Sequence, residues 1–288
     1  MELNKVAVIG LGAMGLPISI NLAKSGIQVE VWNRSNTPIK KAVEAGAVAI
    51  KDLSEITAHV VLTVLPDIKE VREVLNSGLA KALSNNGILV VMGTVSPIAI
   101  VELSKELSEK GIQVLDAPMS GGDVGAIEGT LSIMVGGEEK VFETVLPYFQ
   151  AIGKTIKLLG PIGSGQIAKA CNQVIVAITL SALGEAVTMA RKAGLDTHQL
   201  LDVLAGGLAN SQVIKIKREK IESGDFTPGG LSKFQLKDLN FALETAAKLN
   251  LDLPVTAQVQ KLFTDLVSHG DGELDHSAII REIERRAK

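Results

Sequence analysis

Val6-Ala7-Val8-Ile9 runs directly into Gly10-Leu11-Gly12-Ala13-Met14-Gly15, and then into the helical pattern Leu16–Ser25. A β-branched strand that delivers three spaced glycines to a helix start restricts the first half of a chain to few folds. Gly10 permits a tight turn, Gly12 lets backbone amides approach a pyrophosphate, and Gly15 lets the helix pack closely on the strand. The helix N-terminus then presents unpaired N–H groups and a positive dipole end to an anion. Gly10, Leu11, Gly12, Ala13, Met14 and Gly15 are therefore expected to line a dinucleotide.

The organisation downstream agrees. Short β-branched runs recur at Val29–Trp32, Val60–Leu65, Ile88–Met92, Gln113–Leu115, Leu131–Val135 and Thr155–Leu158. They are apolar at nearly every position, as in a parallel sheet covered on both faces. Helical segments such as Ile68–Leu75 and Ile98–Lys110 lie between them, so the order predicts an α/β, Rossmann-type, doubly wound and mostly parallel sheet. After Gly160-Pro161 the pattern becomes helical from about Ser164 to Ala193, where Gly194 stops it. Roughly 30 helical residues would span about 45 Å. The remaining runs, Thr197–Ala205, Gln212–Ser223, Leu231–Leu249, Pro254–Ser268 and Ser277–Ala287, are all helical. The expected division is residues 1–162 for the NAD(P)-binding domain, 163–193 for a long connecting helix, and 194–288 for an all-α substrate and oligomerisation domain.

Composition removes several classes. A net charge of −3 with both signs interspersed gives no footprint for nucleic acid or an anionic membrane, and 3% aromatic residues give no stacking platform. One cysteine excludes an internal disulfide, and four scattered histidines show no metal-ligand spacing. The start Met1-Glu2-Leu3-Asn4-Lys5 carries no cationic leader, and the uncharged stretch Ala170–Gly184 is short for a membrane span. A soluble, cytoplasmic protein is the expectation, without metal, nucleic acid or membrane as partner.

The cofactor is refined by the end of the second strand. NAD-selective sites usually place an acidic residue there for the ribose hydroxyls. This chain has Asn33-Arg34-Ser35, where Arg34 can pair with a 2′-phosphate and Asn33 and Ser35 can donate hydrogen bonds. Glu30 lies inside the strand. NADP is therefore the expected preference, with NAD possible. Leu65, Pro66 and Thr94 follow strands of the same sheet and are expected to line the cofactor, since ligands bind beyond the carboxyl ends of strands. Turn chemistry alone would also explain Pro66 and Asp67.

The second chemical signal is Gly163-Ser164-Gly165-Gln166-Ile167-Ala168-Lys169-Ala170-Cys171-Asn172-Gln173. On a helix Lys169, Asn172 and Gln173 share one face and Cys171 another. An ammonium among Ile, Val, Ala and Leu is costly unless paired. It is either a lysine that snorkels to solvent or one placed for proton transfer.

Together with Asp116-Ala117-Pro118-Met119-Ser120-Gly121-Gly122 and Lys237-Asp238-Leu239, these motifs are similar to those of the β-hydroxyacid dehydrogenases, over essentially the whole length. That group includes 3-hydroxyisobutyrate dehydrogenase, tartronate semialdehyde reductase and the glyoxylate/succinic semialdehyde reductases. The resemblance implies that Ser120, Gly121 and Gly122 hold the substrate carboxylate, with Lys169 catalytic, Asn172 orienting the substrate and Gln173 a further substrate-binding residue. It also implies that Lys237 lies on the cofactor side, and Phe234, one turn earlier, could cover the nicotinamide. This chain has Gln173 where many relatives have a second asparagine, and Met119 where they have valine. Ser120–Ala126 through Gly129–Val135, together with Asp275-His276-Ser277-Ala278, look most like the tartronate semialdehyde reductase branch. The implied reaction is hydride transfer between the cofactor and a short aldehyde acid or hydroxyacid, with a homodimer or homotetramer as the assembly. A lysine ordinarily titrates near about 10.4, so Lys169 would enter reduction protonated, whereas oxidation would have to remove that proton. The rival readings are 3-hydroxyisobutyrate or glyoxylate/succinic semialdehyde chemistry, a phosphogluconate-type dehydrogenase, and a nucleotide-binding regulatory protein without turnover. The last would need only the cofactor half.

Overall fold

The computed structural model describes residues 4–287; the leader reading at Met1–Leu3 lies outside them. The strands are β1 Lys5–Ile9, β2 Gln28–Trp32, β3 Val48–Ala49, β4 Val60–Thr63, β5 Ile88–Val91, β6 Gln113–Asp116, β7 Met119–Ser120, β8 Leu131–Gly136 and β9 Gly153–Gly160. The helices are α1 Gly15–Lys24, α2 Asn36–Glu44, α3 Ile68–Val74, α4 Ala80–Ala82, α5 Pro97–Ser108, α6 Gly122–Glu128, α7 Glu139–Gln150, α8 Ser164–Lys192, α9 Thr197–Ala205, α10 Gln212–Ser223, α11 Ser232–Lys248, α12 Pro254–Leu266 and α13 Ile279–Arg286. The residues form two compact units that meet in sequence inside α8, after Lys169.

The first unit is built on one sheet with strand order β3-β2-β1-β4-β5-β6-β8-β7, and β9 pairs with β8. β1 to β6 run parallel, whereas β8 is antiparallel to β6 and β7. The direction of winding reverses between β1 and β4, which opens a crevice at their carboxyl ends. Val6 and Val8 join a core with Ile18 and Leu22 of α1 on one face. Ala7 and Ile9 join Val71, Ile100 and Leu103 on the other. A strand packed on both faces must be apolar at consecutive positions, which is why these runs do not alternate. β9 departs from that rule. It is an edge strand with exposed Lys154, Thr155 and Lys157, so its charges interrupt pairing with other chains.

The second unit is helical. Ala177 and Leu180 of α8 pack with Leu239, Val259, Phe263 and Ile283. Leu183 and Val187 pack with Leu201, Ile214 and Ile221. A Cβ on Gly184 would come within 2.7 Å of the Ile283 side chain, so this glycine admits α13 against α8. By length and composition α8 could cross a bilayer, but these buried side chains give it the place of a central helix in a globular core.

Candidate active site

The three glycines of the first loop do different work. Gly10 has φ +92°, and a Cβ there would lie 2.5 Å from the Val64 carbonyl oxygen. A Cβ on Gly15 would lie 1.8 Å from the Gly10 carbonyl oxygen, so helix and loop close on each other only without a side chain. A Cβ on Gly12 would meet nothing within 4 Å. Gly12 and Ala13 instead border a recess of about 500 Å³ lined also by Leu16, Pro17, Ile20 and Ile127. Met14, at the N-cap of α1, makes no side-chain capping hydrogen bond. The open space at Gly12 lets a pyrophosphate approach the backbone at the start of α1, and a nicotinamide dinucleotide is the group this strand–loop–helix would hold. Met14 is partly buried against the core.

Asn33 makes hydrogen bonds within the protein. Its Oδ1 accepts from the Leu11 N–H at 2.9 Å, and its Nδ2 donates to the Ser35 carbonyl at 3.2 Å and Ser35 Oγ at 2.9 Å. Asn33 thereby ties the glycine loop to the end of β2, and the Leu11 N–H is spent within the protein. Ser35 is extended and precedes α2. Arg34 is exposed, and Glu73 lies 3.9 Å from its guanidinium. Glu30 is excluded from the ribose: its buried carboxylate takes the Thr57 and Ala58 N–H groups and pairs with Lys5 at 2.8 Å. Burial opposes its ionisation, but these donors hold its pKa below the ordinary value.

Leu65 is buried after β4, and a Cβ on Gly93 would sit 1.9 Å from the Leu65 carbonyl oxygen. The turns carrying Leu65-Pro66 and Thr94 are therefore adjacent. The Thr94 turn is fixed by Gln166, whose Oε1 accepts from the Val95 N–H at 3.1 Å and whose Nε2 donates to the Gly93 carbonyl at 2.9 Å.

Asp116 closes β6 with its side chain wholly buried. Its two oxygens accept the Gly163 and Gln166 N–H groups at 2.7 Å each, so it caps the start of α8. Burial is the largest influence on it and raises its pKa to about 6, against the opposing pull of these donors. A Cβ on Gly165 would fall 2.3 Å from the Met134 carbonyl oxygen and 2.8 Å from Asp116 Oδ2. Glycine is thus required for α8 to seat on the sheet. Lys169 follows one turn after Gln166 and is only 8% exposed. Ser120 ends β7, register-paired with Ser132 of β8. Gly121 and Gly122 have φ of +130° and +65°, a pair of conformations that glycine alone adopts readily.

In the helical unit Asn172 and Gln173 follow on α8. Asn172 Nδ2 donates to Gln173 Oε1 at 2.9 Å, and Gln173 Nε2 donates to Asp238 Oδ2 at 2.7 Å. The Gln173 amide is thus hydrogen-bonded at both ends within the helical unit. Lys237 lies 3.6 Å from Asp238 Oδ1, with its ammonium over the Phe234 and Phe241 rings at 5.8 and 5.1 Å. Phe234 is 40% exposed. Behind them Asp275 accepts from Lys217, Gly229, Gly230 and Ser277. Burial alone would raise its pKa, but the charges of His276 and Lys217 and these donors bring it to about 2.

Sequence reasoning missed Asp116, Gln166 and Gln235 as site-building residues. A carboxylate ending an otherwise apolar strand signals that Asp116 needs a partner. Nothing local marks Gln166 or Gln235.

Comparison with known proteins bears on the same residues. Residues 5–160 match the model for the NAD binding domain of 6-phosphogluconate dehydrogenase. Residues 163–283 match that for the NAD-binding region of NADP-dependent 3-hydroxyisobutyrate dehydrogenase. The chain is 41% identical to 2-hydroxy-3-oxopropionate reductase of Escherichia coli (strain K12), covering 98% of each. It is 36% identical to 2-(hydroxymethyl)glutarate dehydrogenase of Eubacterium barkeri, covering 96% of this chain and 94% of that one. Among solved structures, 3-hydroxyisobutyrate dehydrogenase from Salmonella typhimurium superposes with a TM-score of 0.90 at 26% identity, over 96% of this chain and 99% of that one. With a nicotinamide-type glycine loop, a doubly wound sheet and an all-α second unit matched over nearly full length, the chain belongs to the β-hydroxyacid dehydrogenase family of NAD(P)-dependent oxidoreductases.

Proposed function

We propose that this chain is an NADP-preferring reductase of short aldehyde acids, with 2-hydroxy-3-oxopropionate (tartronate semialdehyde) as the leading substrate. Lys169 carries the reading. It is a nearly buried lysine, one turn before Asn172, on a helix whose start is held by Asp116. Similarity to the E. coli 2-hydroxy-3-oxopropionate reductase supports the choice of substrate. When bound, a nicotinamide cofactor would supply or accept the hydride at the substrate carbon. Lys169 donates a hydrogen bond to the carbonyl oxygen as negative charge grows there, then gives up its proton to complete the alcohol. Asn172 orients the substrate oxygens, and Ser120 with the Gly121 and Gly122 N–H groups holds the carboxylate. Oxidation requires Lys169 to start deprotonated, so that direction gains with alkaline pH.

The cofactor assignment rests on the absence of a carboxylate at the exposed end of β2 and on Arg34 there, with the N-terminus of α2 following. Phe234 and Lys237 are assigned to the nicotinamide side. The exposed apolar residues Ile175 and Met189 on α8 support a homodimer or homotetramer, and cytoplasmic residence is proposed with it.

The test compares tartronate, succinic and methylmalonate semialdehydes and glyoxylate with both cofactors, in the wild type and Lys169→Ala. Tartronate semialdehyde with NADPH should give the highest kcat/KM. Lys169→Ala should lose about 10²- to 10⁴-fold in turnover, while cofactor affinity holds. Retained turnover would remove Lys169 from the reaction, and preference for another acid would reassign the substrate.

A further inference from the structure

The polar chain behind Asn172 has a direction that its own chemistry enforces. The Asp238 carboxylate, 5% exposed, only accepts hydrogen bonds. Gln173 must therefore turn its amide nitrogen toward it, at 2.7 Å. A second acceptor-only group fixes the neighbouring amide. The backbone carbonyl of Gln173 takes Gln235 Nε2 at 3.2 Å, so Gln235 Oε1 faces Gln173 Nε2 at 3.4 Å and His276 Nδ1 at 3.1 Å. Gln235 is itself 1% exposed. Both sides of the Gln173 amide nitrogen are thus met by acceptors. Its carbonyl oxygen can only accept, and it accepts from Asn172 Nδ2 at 2.9 Å.

The two ends of an asparagine amide are nearly equal in shape and differ only in hydrogen-bonding sense. Orientation must therefore come from a neighbour, and the neighbour here is Gln173. We propose that Gln173 is a positioning residue rather than a substrate ligand: held by Asp238 and Gln235, it fixes which way the Asn172 amide faces and so sets the acceptor and donor that the substrate meets. This rests on the reading of Asn172 as the substrate-orienting amide. A shorter side chain at this position would have to find another route to Asp238.

Two variants test it in the full-length enzyme, assayed with tartronate semialdehyde across pH. Gln173→Leu keeps the volume and removes the relay, so kcat/KM should fall about ten-fold at every pH, the scale of one misdirected hydrogen bond. The KM for NADPH should stay close to wild type, while the thermal midpoint falls modestly because buried Asp238 loses a donor. Gln173→Glu places two carboxylates against each other. When they share a proton the glutamic acid can donate to Asp238 and accept from Asn172, whereas at alkaline pH both are charged and repel. Its activity relative to wild type should therefore recover as pH falls, to within about three-fold, while that of Gln173→Leu stays flat. A filler residue with no orienting role would not show this pH rescue. A Gln173→Leu enzyme within two-fold of wild type, or parallel pH profiles for the two variants, overturns the proposal. Should the wild type reduce none of the aldehyde acids, the functional reading fails separately. The relay is then read from the Gln173 side-chain NH2 signals by NMR. Slow hydrogen exchange in wild type that becomes fast in Asp238→Leu supports it, and equal rates overturn it.

Discussion

Replacing Asp116 by asparagine should remove a pH dependence of stability that the wild-type first unit carries. Two influences compete at this carboxylate. The N–H groups of Gly163 and Gln166, at the start of α8, favour the ionised form, and complete burial disfavours it. Burial wins, raising the pKa from the ordinary 3.8 to about 6. A folded-state value above the unfolded one means that the folded chain holds this proton more tightly. The associated stability is fully present below about pH 4 and is lost as pH rises through about 6. At 1.36 kcal/mol per pH unit the loss amounts to about 3 kcal/mol. Asparagine has no proton to lose. Its amide nitrogen would oppose one backbone N–H, which costs about 1–3 kcal/mol at every pH. The pH-independent penalty and the pH-dependent gain therefore separate cleanly. Urea unfolding of both proteins at intervals from about pH 4 to 7 should show the variant gaining about 3 kcal/mol on the wild type across that range. A difference constant within about 0.5 kcal/mol, or one that moves the other way, would show that the helix N-terminus outweighs burial, and the reasoning would be wrong.

The glycine loop offers a contrast of the same kind. Gly15→Ala drives a Cβ into the Gly10 carbonyl and should cost about 3 kcal/mol of stability as well as cofactor binding, whereas Gly12→Ala meets no protein atom within 4 Å and should fold normally yet bind NADPH poorly. Thermal unfolding and cofactor titration check both, and equal loss of stability in the two would contradict the assigned roles. Arg34→Glu should lower kcat/KM with NADPH about ten- to hundred-fold and change that with NADH far less, since a carboxylate repels a 2′-phosphate. Stability should hardly move, because the Arg34–Glu73 contact is long and exposed.

Features that depend on local sterics and periodicity are legible in the residue order alone. The spacing of Gly10, Gly12 and Gly15, the doubly apolar strands and the break before α8 are each properties of a few neighbouring residues. They sufficed for the fold class, the nicotinamide loop and the lysine-bearing helix. Hydrogen-bond partners were decided only by tertiary structure. Asp116 meets Gly163 and Gln166, Gln166 reaches back to Gly93 and Val95, and Gln173 meets Gln235 and Asp238, each across dozens of residues. No periodicity encodes such pairings. Asn33 shows the same limit: its position after β2 places it beside the glycine loop, but its bonds to Leu11 and Ser35, which tie that loop to the strand end, are set by the fold. Residue type and spacing set which groups are present; burial and packing set what each of them is occupied with.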